Sequence, residues 1–139
     1  MTNVKTLRDV NLAKSKALPA AAATNYSDSI DTGGAQPGRI EGMSESDPEL
    51  LIELPATPSL VDAKTVTLTL QDSADNVTFA DQADIPAMVA LGAGGAGAGA
   101  ISRSFKFPVG LARYVRLKQA VLTAGGDNTA ISSTLSIIV

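Results

Sequence analysis

An antiparallel β-sandwich or jelly roll is the fold this sequence predicts, and three observations carry it. Short segments alternate apolar and polar residues with a period of two, most cleanly Thr-Val-Thr-Leu-Thr-Leu at 65–70. Gly, Pro, Asp and Asn separate these segments at close intervals, and no helical period is sustained. The aromatic content is five Phe and Tyr with no Trp, so a core must be built from Leu, Val and Ile. Such aliphatic layers suit stacked sheets. The 139 residues suffice for one domain, and 22 of them are alanine, which makes that core thin.

Residues 1–23 hold Lys5, Arg8, Lys14 and Lys16 and end in Leu-Pro-Ala-Ala-Ala-Ala. They are expected to form an extended N-terminal arm outside a β domain of residues 24–139, ordering on binding, with a short helix near 6–17 as the other local reading. Deletion of residues 1–23 is therefore expected to spare folding. The first strand is expected at 24–31, before Gly33 and Gly34. A long Gly/Ser/acid-rich loop follows at 32–47, and Glu-Leu-Leu-Ile-Glu-Leu at 49–54 forms the next strand between Pro48 and Pro55. In 65–70, Val66, Leu68 and Leu70 share one face and three threonines the other.

Residues 71–76 read as a turn whose Asx side chains bond their own backbone, and 77–81 as the returning partner strand. Residues 85–91 are either a strand or a short helix. The tract Gly-Ala-Gly-Gly-Ala-Gly-Ala-Gly-Ala at 92–100 reads as a flexible loop. Strands follow at 101–107 and 113–122, joined by a tight reversal for which Pro108 and Gly110 supply the dihedral angles. On the second of these, Tyr114, Arg116 and Lys118 share a face, and Arg113 points to the opposite one. A last strand is expected from Ile131. The total is seven or eight short strands.

The composition bounds the chemistry. With no Cys and no His, disulfides, thiolate metal sites and Ser-His or Cys-His nucleophile pairs are excluded. No stretch approaches the roughly 20 apolar residues of a membrane-spanning helix, so no membrane partner is expected. The opening Met-Thr-Asn-Val-Lys-Thr-Leu-Arg lacks the apolar block of a secretory signal, which points to folding and assembly in a cytoplasm. Charge is polarised: residues 1–23 are net +3, residues 24–100 net −10, and residues 101–139 net +4. This favours oriented contact with a charged surface or between copies. The acidic middle would repel phosphate, so nucleic acid is not an expected partner.

Three motifs look like chemistry and read better as structure. Gly-Ala-Gly-Gly-Ala-Gly at 92–97 matches the dinucleotide fingerprint in letters, but no helix follows to present its N–H groups, and no acidic residue stands about 20 positions on. Asp72, Asp75 and Asn76 lack the central Gly and distal Glu of a calcium loop. Glu41, Glu45, Asp47, Glu49 and Glu53 have no aromatic platform for a sugar. No catalytic residue, metal ligand or cofactor site is assigned. The partner-binding candidates are Lys5, Arg8, Lys14, Lys16, Tyr114, Arg116 and Lys118.

Three stretches carry a resemblance: Thr-Asn-Tyr-Ser-Asp-Ser-Ile-Asp-Thr-Gly at 24–33, Val-Thr-Leu-Thr-Leu-Gln-Asp-Ser-Ala-Asp-Asn-Val-Thr-Phe at 66–79, and Phe-Pro-Val-Gly-Leu-Ala-Arg-Tyr-Val-Arg-Leu at 107–117. Their order and the size of the chain resemble the jelly-roll capsid cement (decoration) proteins of tailed bacteriophages, over about residues 20–139. The resemblance implies a non-enzymatic virion protein on the outside of an icosahedral head, assembled in the host cytoplasm. It implies the major capsid protein as partner and self-association, most simply as a homotrimer. The rival reading is a carbohydrate- or receptor-binding sandwich of a virion fibre or adhesin, and an enzyme stands third.

Overall fold

The computed structural model describes residues 12–32 and 48–138. Ten antiparallel strands form two sheets and no α-helix occurs among the described residues. The strands are β1 Ala13–Ala17, β2 Thr24–Tyr26, β3 Ile30–Asp31, β4 Glu49–Leu54, β5 Thr65–Ser73, β6 Ala80–Asp81, β7 Met88–Leu91, β8 Ile101–Lys106, β9 Tyr114–Val121 and β10 Ser132–Ile138. One sheet runs β1-β10-β4-β8; the other runs β2-β9-β5-β6, with β3 also on β9 and β7 also on β5.

Counting β2 with β3, and β6 with β7, as single interrupted strands leaves eight. First then pairs with last, second with seventh, third with sixth and fourth with fifth. That nested pairing is a jelly roll, a long hairpin rolled into two layers.

Alternation builds the core. β4 turns Leu50, Ile52 and Leu54 inward, β5 turns Val66, Leu68 and Leu70, β9 turns Val115, Leu117 and Val121, and β10 turns Leu135 and Ile137. Sixteen of the nineteen buried apolar residues are Leu, Val or Ile, the aliphatic core that the composition requires. Within it sits one large polar side chain, Gln119, with 0% of its surface exposed. Its Nε2 donates to the carbonyl of Ala17 at 3.1 Å and to Oδ1 of Asn25 at 2.8 Å, and its Oε1 accepts from the Ser133 hydroxyl. One side chain thus joins both sheets.

Several expectations change at this level. The arm does not extend to residue 23. Ala13–Ala17 form β1 along β10 instead of a helix or a free segment, and Leu18 is buried in the core. Alternating hydroxyls make this edge pairing specific, with Ser15 bonded to Thr134 at 2.8 Å. Deletion of 1–23 would therefore remove a strand and a core residue; of that segment, residues 1–11 fall outside the described residues.

The strand at 24–31 is split. Ser27 turns its hydroxyl onto the backbone N–H of Leu117 at 2.9 Å, standing in for a carbonyl between β2 and β3. The return strand at 77–81 shortens to Ala80–Asp81, because Asp75 claims the N–H groups of Val77 and Thr78. The alternative left open at 85–91 resolves as the strand β7.

The glycine tract is not free. Thr57 and Ala98 form a bridge, Gly95 N–H donates to Asp62, and Gly97 has φ +71° with its Cα packed on the Thr57 carbonyl. The Pro108–Leu111 reversal is a type II turn: Leu111 N–H donates to the Pro108 carbonyl at 3.1 Å, and Gly110 has φ +88°. It carries the chain from one sheet to the other.

Candidate interaction surface

The outer face of the β2-β9-β5-β6 sheet carries the polar side chains that the sequence singled out. Tyr114, Arg116 and Lys118 alternate with buried Val115, Leu117 and Gln119, so period two puts all three on that face. Register then supplies their neighbours. Arg116 stands opposite Gln71, Gln71 opposite Asp81, and Lys118 between Tyr26 and Thr69.

The guanidinium of Arg116 lies between two rings, 4.0 Å from the centroid of Tyr26 and 4.0 Å from that of Phe79. Its Nε donates to Gln71 Oε1 at 2.8 Å, and Gln71 Nε2 donates to Asp81 Oδ1 at 2.9 Å. Lys118 Nζ closes the row on both Asp81 oxygens at 3.0 and 3.2 Å. The Gln71 amide, and then Lys118, hold the Asp81 carboxyl below the usual carboxylate range.

The result is a half-exposed platform of fixed geometry and net positive charge. A planar cation stacked on two rings loses little rotamer freedom on contact with a partner. Pre-organised Tyr and Arg side chains on a strand face are what adhesive contacts use.

Arg113 differs from expectation. It precedes β9, forks onto Asp31 at 2.8 and 2.9 Å, and reaches back to 5.3 Å from the Tyr114 ring centroid. Asp31 raises its pKa. Lys14 and Lys16 lie elsewhere, on β1 of the other sheet, in register with Leu135 and Ser133. The structure therefore does not gather them with Tyr114, Arg116 and Lys118; Lys5 and Arg8 lie outside the described residues.

Glu41, Glu45 and Asp47 also lie outside the described residues, while Glu49 pairs with Lys106 at 3.8 Å. Asp72 accepts from the Ala112 N–H at 2.9 Å and from Gln82 Nε2 at 3.0 Å, and Asp75 closes its own loop, so both are occupied structurally. No group of three potential metal ligands occurs among the described residues. A shallow depression of about 220 Å³ beside Thr24, Thr65, Thr67, Ala120 and Leu122 has no titratable side chain in its lining. It offers no acid, base or charged handle.

Tyr26 and Phe79 were absent from the sequence candidates. Register with Lys118 places Tyr26, but Phe79 lies in an irregular loop where alternation gives no signal.

Fold and surface together define a jelly-roll sandwich with a hydrogen-bonded row of polar and aromatic side chains on the outer face of one sheet. Over residues 12–136 the chain matches the family model Bbp16, and it belongs to the Bbp16 family. Comparison with curated proteins finds no match.

Proposed function

We propose that the protein is a capsid cement, or decoration, protein that binds the outside of an assembled icosahedral phage head and bridges neighbouring capsid subunits. The observation that carries the reading is that all three stretches bearing the resemblance meet on one sheet, through β2 and β3, β5, and β9. β5 and β9 are paired along eight residues, and Tyr26, Gln71 with Phe79, and Arg116 bring one part of the platform from each stretch. That platform suits contact rather than turnover.

The mechanism is mass action. A protein that binds the shell and not the loose subunits stabilises the shell by the free energy of binding. Association, as a trimer in the simplest case, would multiply weak contacts through effective concentration. The major capsid protein is the partner in this reading, and the virion exterior the location.

Light scattering of the pure protein, followed by co-sedimentation with purified empty heads, tests it. Saturable binding to heads with a gain in their resistance to heat supports the proposal. Absence of binding to heads together with selective binding on a glycan array would replace it with the receptor-module reading. Deleting residues 1–11 removes Lys5 and Arg8 without touching a described residue, and so tests the basic arm separately.

A further inference from the structure

Among the described residues β8 is an edge strand, and its neighbour β4 fixes which way its side chains point. Ile101, Arg103 and Phe105 stand opposite Leu54, Ile52 and Leu50, three residues that are almost fully buried. Directly opposed residues share a face, so Ile101, Arg103 and Phe105 all face the space between the sheets. Yet Ile101 and Phe105 are only half-buried against the core, and Arg103 is exposed.

Among the described residues the layers are open along this side. β1 and β2 are tied together through Ala17 and Asn25, which sets β8 against the other end of the second sheet. There the strands are β6, of two residues, and β7, of four, against the six of β8. Arg103 has no hydrogen bond or ion pair among the described residues.

We infer that β8 accepts an extended segment of a partner polypeptide whose inward side chains read apolar, acidic, apolar. The backbone of such a segment would add a strand to the outer edge of β8. Its carboxylate would meet Arg103, and its flanking apolar side chains would complete the half-buried packing of Ile101 and Phe105.

Neither edge strand of this sheet in a second copy supplies the acidic residue. The opposite edge, β1, puts Lys14 and Lys16 on the same inward face, in register with Leu135 and Ser133. Pairing β8 with β1 of another copy, or with another β8, opposes cation to cation, which is destabilising. The inference is independent of the capsid reading, since it fixes the chemistry of the segment and not its source.

The probe is a blocked heptapeptide, Thr-Val-Thr-Glu-Thr-Val-Thr, whose symmetry keeps the pattern in either strand direction. Titrated to about 1 mM into the full chain, it should shift the backbone amide resonances of Ile101–Lys106 and slow their hydrogen exchange. Arg103→Glu should weaken it about tenfold and bind the Lys-centred analogue in its place. Absence of shifts on β8, or affinity indifferent to residue 103, overturns the inference. An inward charge can also serve only to keep edges apart. Self-association of Arg103→Val without any peptide-dependent shift in the native chain would establish that role instead.

Discussion

The Ser133 hydroxyl donates to Gln119 Oε1 in the middle of the sandwich, linking β10 of one sheet to β9 of the other. The same amide bonds Ala17 and Asn25, so four strands meet at one buried polar group. A buried network of this kind fixes how the layers sit because each lost partner leaves another unsatisfied. Gln119→Leu strands the Ser133 hydroxyl and leaves Asn25 Oδ1 without its donor, while the Ala17 carbonyl keeps the Asn25 amide. It should cost about 1–3 kcal/mol, seen as a lower urea midpoint at unchanged slope. Adding Ser133→Ala should cost less than the sum of the two single changes, because they share the interaction.

The glycine tract makes a sharper test of local geometry. At Gly97 a Cβ would lie 1.9 Å from the Thr57 carbonyl oxygen, and φ is +71°. At Gly99 a Cβ would meet nothing within 4 Å. Gly97→Ala should therefore lose at least about 2 kcal/mol, and Gly99→Ala should stay within about 0.5 kcal/mol of the parent. Equal thermal midpoints for the two variants would contradict the bridge between Thr57 and Ala98.

These two cases mark where sequence reading stops. Alternation at 49–54, 65–70 and 114–121 was legible because one face of each strand meets an aliphatic layer, and period two alone decides which residues are inside. The same rule placed Tyr114, Arg116 and Lys118 together. It was silent on Gln119, which occupies an inward position of β9 yet reads as one more polar residue until Ser133, Asn25 and Ala17 converge on it. It also failed for β1, where Lys14 and Lys16 occupy the inward face of an edge strand and disguise the pattern. Repetition hid the glycine tract for the opposite reason: identical letters serve different backbone conformations and contacts.

Acid should open the β5–β6 loop before it opens the sandwich. Asp75 accepts hydrogen bonds from the N–H groups of Thr78 and Val77 and from the Ser73 hydroxyl, which lower its pKa from 3.8 to about 2. The folded value lies below the unfolded one, so the stabilisation is complete above pH 3.8 and is lost as pH falls through about 2. Amide exchange at Val77 and Thr78, corrected for the intrinsic rate, should rise across that window. In Asp75→Asn this pH dependence should vanish. A flat profile in the native chain would show that the carboxylate is not what closes the loop.

Arg116→Lys tests the platform without removing its charge. The ammonium of lysine cannot lie flat between Tyr26 and Phe79 while also donating in plane to Gln71, as the guanidinium does at 2.8 Å. The expected loss in folding stability is small, about 0.5–1 kcal/mol, because the group is partly solvated. Under the proposed cement function, the expected loss in head binding is larger in proportion. Gln71 and Asp81 lose the anchor that holds their row in register, and each copy in a multivalent assembly carries the same defect. Arg116→Lys should therefore co-sediment with heads less well than a surface control such as Lys64→Arg, with an unfolding midpoint close to the parent. Full occupancy by Arg116→Lys would remove this sheet from the proposed capsid contact and leave the stacked arginine a structural clasp between β9, β2 and the loop that carries Phe79.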